Sequence, residues 1–127
     1  GASTATLPAR LRAWESGSSY FSDQAYVSQD IREIATGIRK GPLVALHTAC
    51  DGLGVDAANA YGELPTPDAQ LTTDLNNEYL TAENAAQSCS TATTRHGGRI
   101  ERYLTLIARA ERDLHAAHAR IATILTA

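Results

Sequence analysis

The last quarter of the chain carries a hydrophobic repeat of seven residues, which only a long packed helix accommodates. Two sets of mostly apolar side chains recur at this interval: Ile100, Ile107, Leu114 and Ile121, and Tyr103, Ala110, Ala117 and Ile124. Residues alternately three and four apart share one face of an α-helix, and that face packs against neighbouring helices. The pair Gly97-Gly98 breaks any preceding helix. The pattern therefore predicts a helix from about Arg99 to Leu125.

The segment Thr66-Pro67-Asp68 is typical of a helix N-terminus. Thr is a good N-cap, Pro is favoured at the first helical position, and an acid suits the first turn. Apolar or small residues then recur every three or four positions, at Leu71, Leu75, Tyr79, Ala82, Ala86, Cys89 and Thr93. This spacing predicts one helix from Pro67 to about Arg95.

The pair Gly41-Pro42 separates two further helical stretches. The stretch after it has an apolar stripe at Leu43, Leu46, Cys50, Leu53, Ala57 and Tyr61. The stretch before it has one at Leu7, Leu11, Trp14, Phe21, Ala25, Ile31, Ile34 and Ile38. Residues 16–19 read Ser-Gly-Ser-Ser, a poor helix interior. We expect either one kinked helix here or two helices, the second starting near Ser22 or Asp23.

Four amphipathic helical segments joined by short Gly/Pro corners predict an all-α fold. We expect an antiparallel up-down four-helix bundle, with its first helix kinked or broken near residues 16–19. The composition agrees, because the chain has 23 Ala and only three Val. Its 127 residues suit a single domain spanning residues 1–127, in which residues 1–6 are expected to be frayed.

The two cysteines, Cys50 and Cys89, lie on the apolar stripes of the second and third predicted helices. A bond between them would fix an antiparallel register in which the numbers of facing residues sum to 139. The alternative is two reduced thiols that pack as small hydrophobic groups. We favour the disulfide, since an even pair of cysteines on facing stripes suits an oxidising compartment.

Charge is segregated along the chain. Residues 41–94 contain seven acids and no Lys or Arg, whereas residues 95–127 carry a net charge of +3. The acidic hairpin could face the basic last helix within the fold, or it could present a surface to a partner. For the second case we predict an interaction face for another protein, made of Asp68, Asp74, Glu78 and Glu83. A nucleic-acid partner is not expected, because the chain is acidic and has no recognition motif.

Candidate chemistry is sparse. Glu111, His115 and His118 share one face of the last helix at a spacing that can present metal ligands, although we favour a solvated face of an Arg/His-rich helix. His47 lies beside an apolar stripe and is expected to be structural, with a haem or small-ligand pocket as the alternative. The sequence has no nucleophile elbow and no phosphate-binding loop, so we expect neither an enzyme nor a cofactor.

One arrangement resembles a known group of proteins. It consists of His47-Thr48-Ala49-Cys50 on one helix, the corner Leu64-Pro65-Thr66-Pro67-Asp68, and Cys89 on the next helix. The stretch 43–89 resembles small uncharacterised exported or membrane-anchored helical proteins of high-GC Gram-positive bacteria, in which two Cys flank a Pro-x-Pro-Asp corner. The resemblance implies export, a Cys50–Cys89 disulfide and an all-helical ectodomain, and it implies no activity.

The chain begins Gly1-Ala2-Ser3 and contains no Met. We expect a cloning remnant, an exported protein that has lost its targeting segment, or both. A membrane anchor would lie outside this sequence. The sequence as a whole predicts a non-enzymatic, extracytoplasmic module for protein interaction or sensing through the acidic hairpin. The alternatives are a metal- or small-ligand-binding protein and a cytoplasmic accessory protein with reduced thiols.

Overall fold

A computed structural model describes residues 5–127, and this part of the chain is all-α, without a β-strand. It contains five helices: α1 (Leu7–Gly17), α2 (Tyr20–Arg39), α3 (Leu43–Tyr61), α4 (Ala69–Ser90) and α5 (Gly98–Thr126). The all-α prediction is confirmed. Of the predicted frayed residues 1–6, the first four lie outside the described residues. Thr6 is not frayed, because its hydroxyl caps α1 by accepting a hydrogen bond from the amide of Ala9.

Residues 5–40 form two helices and not one kinked helix. α1 ends where the amide of Ser18 donates to the carbonyl of Trp14, and α2 starts at Tyr20, two residues earlier than predicted. The hydroxyl of Ser18 accepts from the amide of Tyr20 at 3.2 Å. Serine side chains that bond nearby backbone groups compete with helical hydrogen bonds, and this competition explains the break.

The predicted helix from Pro67 to Arg95 is shorter at both ends in the structure. It begins at Ala69 because Asp68, and not Thr66, is the N-cap: the Asp68 carboxylate accepts from the amide of Leu71 at 2.9 Å. The hydroxyl of Thr66 instead accepts from the amide of Asp68 within the preceding turn. The helix ends at Ser90, five residues before the predicted end.

Consecutive helices pack against each other from α2 to α5, whereas the backbones of α2 and α5 approach each other much less closely. Gly37 of α2 lies against Leu46 of α3, and the hydroxyl of Ser88 on α4 donates to the carbonyl of Arg99 on α5. Small seam residues permit these close approaches, and the buried ones include Ala57, Ala82, Ala85, Ala86, Ala110 and Ala117.

The buried apolar residues form two clusters. One surrounds the disulfide and draws on α2 to α5, including Ile34, Leu46 and Tyr103. The other lies toward α1 and includes Leu11 and Tyr79. No helix among residues 5–127 is both long enough and apolar enough to cross a membrane.

Candidate functional site

The two cysteines form a buried disulfide between α3 and α4. The Cα atoms of Cys50 and Cys89 are 5.9 Å apart, and both side chains are fully buried. Two neighbouring contacts lie within one residue of the predicted register: a ring nitrogen of His47 lies against the carbonyl of Ala92, and Gly54 faces Ala86. The predicted disulfide and the antiparallel pairing of these two helices are therefore confirmed.

Asp68, predicted to lie on an exposed acidic face, is 8% exposed and belongs to an internal ion pair. Arg120 of α5 donates to it twice, from Nη2 to Oδ1 at 2.8 Å and from Nε to Oδ2 at 2.9 Å. The hydrogen bond from this guanidinium lowers the pKa of Asp68 to about 2, against the opposing effect of burial. At this pair the acidic hairpin faces the basic last helix within the fold, so Asp68 is not a free interaction residue.

Glu78, also predicted on that face, is 2% exposed. The side-chain amide of Gln24 donates from Nε2 to Oε1 of Glu78 at 2.8 Å and to the hydroxyl of Tyr79 at 2.9 Å. Burial raises the pKa of Glu78 to about 7, while the Gln24 hydrogen bond lowers it and the charge of Asp113 raises it further. This acid lies between helices and cannot meet a partner.

The other two residues of the predicted acidic face, Asp74 and Glu83, are half-buried. One carboxylate oxygen of Asp74 is buried without a hydrogen bond. Glu83 lines a groove between α3 and α4. The prediction of one continuous face made of Asp68, Asp74, Glu78 and Glu83 was therefore wrong, because helical spacing alone does not show which acids turn inward.

The predicted metal ligands Glu111, His115 and His118 are all exposed on α5. Within the described residues, no group of three or more His, Cys, Asp or Glu side chains could hold a metal ion, so these three are not assembled as a ligand set. Glu111 and His115 border a shallow depression on α5 itself. His118 instead borders a cavity that it shares with α1 and α2.

His47 has a structural contact. Its Nε2 lies 2.6 Å from the carbonyl oxygen of Ala92, and because a carbonyl can only accept, Nε2 carries the proton and donates it. The bond joins the start of α3 to the turn after α4. The haem or small-ligand alternative for His47 stays a prediction, because a hydrogen bond from one ring nitrogen to a backbone carbonyl is compatible with a ligand on the other nitrogen.

The surface feature that the sequence analysis missed is a pair of exposed valines on α3. Val44 is 68% exposed and Val55 is 60% exposed, although both are valines in a well-packed helix. They belong to a row of exposed residues spaced four, three, four and three apart: Val44, Thr48, Asp51, Val55 and Ala58. A signal was present, because these two valines fall outside the predicted buried stripe of α3.

Two grooves flank this row. The groove between α2 and α3 has a volume of about 570 Å³ and is lined mainly by small residues, with Glu33 toward one end and Lys40 toward the other. The groove between α3 and α4 has a volume of about 490 Å³ and includes Asp51 and Glu83. We refer to the exposed row and its two flanking grooves as the α3 surface.

A half-buried acid, Asp30, lies at the edge of the α3 surface. Asp30 of α2 lines the first groove, and its Oδ1 lies close to the backbone of Gly52 on α3. Burial, and then the adjacent carboxyl group of Asp56, raise the pKa of Asp30 well above its ordinary value. The rim of the surface is therefore rich in carboxyl groups from three helices.

Comparison with known proteins found no similar protein. The chain matches no protein-family model, no curated protein and no solved structure. The functional argument accordingly rests on the geometry and chemistry of the residues themselves.

Proposed function

We propose that the protein is a non-enzymatic, extracytoplasmic interaction module whose α3 surface binds an amphipathic helix of a partner protein. In this proposal α2 to α5 form an antiparallel up-down four-helix bundle, and α1 packs at one end. The observation that carries the proposal is the exposed row on α3, where Val44 and Val55 face solvent. Exposed apolar side chains beside grooves lined by small residues mark a surface on which a further element can pack.

The shape of the α3 surface suits a helix. Its first groove is lined by small residues, among them Gly37, Ala45 and Gly52, and their small side chains let another backbone approach closely. Helices pack by placing ridges of side chains into such grooves, and an amphipathic helix in an apolar groove is a recurrent mode of recognition.

The charge of the surface selects a basic partner. Asp51 lies in the middle of the exposed row, Glu33 and Glu83 line the two grooves, and Lys40 is the one cationic residue among the lining residues of the two grooves. No Lys or Arg occurs in residues 41–94. A partner helix with Lys or Arg beside its apolar stripe would therefore meet complementary charge, which favours association and orientation.

A second copy of the chain fits this surface poorly. In a symmetric dimer, residues near the twofold axis meet their own counterparts. The central position of the row is Asp51, so pairing two α3 surfaces would place two carboxylates against each other. We therefore propose a different protein as the partner.

The extracytoplasmic location in this proposal is supported by the Cys50–Cys89 disulfide. Stable disulfides belong mainly to oxidising compartments.

Selection from a displayed library of helical peptides tests the interaction. We expect enriched sequences to carry Lys or Arg beside an apolar stripe and to bind Val44→Ser and Val55→Ser variants at least about tenfold more weakly. The matched control is Leu104→Ser on α5, because Leu104 is also exposed, at 49%. This control should bind the peptides as the unmodified protein does.

Two results would contradict the proposal. Peptides that bind the Val44→Ser and Val55→Ser variants with unchanged affinity would place the docking site elsewhere. Self-association in sedimentation equilibrium that the same two substitutions abolish would make a second copy the occupant.

A further inference from the structure

Two carboxyl groups meet where α2 crosses α3, at the edge of the α3 surface. Asp30 of α2 lies over Gly52 of α3, since a Cβ atom added to Gly52 would be 3.6 Å from Oδ1 of Asp30. Asp56 follows Gly52 by four residues, so it lies one helical turn further along the same face of α3. The side chains of Asp30 and Asp56 are close enough to form a hydrogen bond with each other.

No cation neutralises this pair of acids. Among residues 5–127, neither Asp30 nor Asp56 forms an ion pair. The other charged groups nearby are two further acids of α2, because Glu33 lies near Asp30 and Asp23 lies near Asp56. From α5 the titratable group near Asp30 is the hydroxyl of Tyr103, and burial raises its pKa, so this hydroxyl stays neutral at physiological pH. The surroundings of the pair therefore favour the form with less negative charge.

The contact between the two carboxyl groups requires a proton. An ionised carboxylate has no donor, so one of the two acids must be protonated for a hydrogen bond between them. Oδ2 of Asp30 is buried and has no donor in the described part of the chain, which makes a negative charge on it costly. Burial first, and then the hydrogen bond to Asp56, raise the pKa of Asp30 from 3.8 to about 7. The folded protein therefore keeps this proton below about pH 7 and releases it above.

We propose that Asp30 and Asp56 share one proton across the α2–α3 crossing, and that its release makes the α3 surface bind its basic partner helix more tightly. This inference rests on the proposed function, because the partner helix is the ligand whose affinity changes. The pair carries one negative charge with the proton and two without it. Asp30 lines the first groove of the α3 surface, so the added charge lies beside the Lys or Arg side chains of the partner. Linkage requires the converse, that the bound partner lowers the pKa of Asp30.

NMR titration of the protein alone tests the shared proton. We expect the backbone amide resonance of Gly52 to shift with a midpoint of about pH 7, and we expect Asp30→Asn to abolish this shift. The matched control is Glu78→Gln, because Glu78 also has a pKa of about 7 but is bonded to Gln24 and not to this pair. The control should leave the titration at Gly52 in place. A Gly52 resonance that titrates only below about pH 5, as beside an ordinary Asp, would overturn the proposal.

Peptide binding at two pH values tests the regulation. The probe is an amphipathic helical peptide with a Leu stripe flanked by Arg, acetylated and amidated at its ends and free of His, so that its charge does not change between pH 6 and pH 8. We expect the unmodified protein and Glu78→Gln to bind it at least about threefold more tightly at pH 8 than at pH 6. Asp30→Asn should bind it equally at both pH values, with about the affinity of the unmodified protein at pH 6.

The outcomes separate this inference from the proposed function. Equal affinity of the unmodified protein at the two pH values would overturn the regulation and leave the partner helix supported. The same pH effect in Asp30→Asn as in the unmodified protein would also overturn it, because another group would then be responsible. Binding at neither pH would contradict the proposed function, and the regulation would fall with it, while the titration at Gly52 would still decide whether the proton is shared.

Discussion

The carboxylate of Asp68 binds two helices at once. It accepts two hydrogen bonds from Arg120 of α5, and one of the same oxygens, Oδ2, caps α4 by accepting from the amide of Leu71. The bidentate pair with Arg120 needs the ionised carboxylate, and its pKa of about 2 keeps it ionised in all but strongly acidic solution. Asp68 therefore fixes where α4 begins and how α5 lies against it.

Substitution of Asp68 should separate the two interactions. Asp68→Ala removes the cap, which costs about 1 kcal/mol, and it also removes the ion pair. Asp68→Asn keeps an oxygen that can cap the helix and loses the bidentate pair, so we expect a smaller loss. Urea unfolding at pH 7 measures both, with the exposed Asp51→Asn as the control that changes charge alone. Equal losses for the two Asp68 variants would show that the cap contributes nothing.

Glu78 should make the protein less stable as the pH rises. Its pKa rises from 4.5 to about 7 on folding, so the folded state holds the proton more tightly than the unfolded state. The stabilisation is complete below about pH 4.5 and is lost as pH rises through 7, by at most about 3 kcal/mol. We expect the free energy of unfolding to fall between pH 5 and pH 8, as measured by urea unfolding at several pH values.

The control for this prediction is Glu78→Gln, which keeps the shape and can still accept from Gln24 without ionising. It should be more stable than the unmodified protein at pH 8 and should show a flatter dependence on pH. An unmodified protein whose stability stays constant from pH 5 to pH 8 would contradict the burial of an ionisable Glu78.

Helix periodicity predicted most of the fold, because a helix that buries one face carries apolar residues three or four positions apart, and this spacing can be read from the sequence. The last helix was predicted within one residue at each end, and the facing cysteines gave the register of α3 and α4. The start of α4 was missed because Thr66 and Asp68 are both good caps. Which of them caps the helix depends on the contact of Asp68 with Arg120, 52 residues away.

The candidate sites were much less predictable. Net charge along the chain indicated acidic segments, but whether an acid faces water depends on the rotation of its helix against its neighbours. Glu78 and Asp68 turned inward, and the exposed valines of α3 became visible only once the packed face was known. The cavity where α1, α2 and α5 meet joins Glu15 to His118, and no local pattern brings residues so distant in sequence together.

The disulfide should contribute strongly to stability. It closes a loop of 39 residues, and in the chain-entropy model such a link stabilises the folded state by about 4 kcal/mol. We expect the Cys50→Ala/Cys89→Ala variant to unfold at clearly lower urea concentration than the oxidised protein. Reductant should destabilise the unmodified protein and leave the double variant unchanged.

The same bond provides a test of the compartment. Protein isolated from its native cells under thiol-blocking conditions, without reductant, should contain no free thiol, as measured by intact mass after alkylation. Two alkylated cysteines would contradict the extracytoplasmic location. That result would favour the alternative of a cytoplasmic protein with reduced thiols.

The crossing of α2 and α3 depends on Gly37. A Cβ atom added there would lie 3.2 Å from Cδ1 of Leu46 and 3.3 Å from its Cα, so Leu46 and its backbone would have to shift by a few tenths of an ångström. We expect Gly37→Ala to be destabilising although Ala is the better helix former, because the close contact involves the backbone of α3 and not only a flexible side-chain end. Gly17→Ala is the matched control, since nothing lies within 4 Å of its added Cβ, and it should be neutral or stabilising by up to about 1 kcal/mol. Thermal unfolding of both variants measures the difference, and a Gly37→Ala variant as stable as Gly17→Ala would show that α2 and α3 do not pack as closely as described.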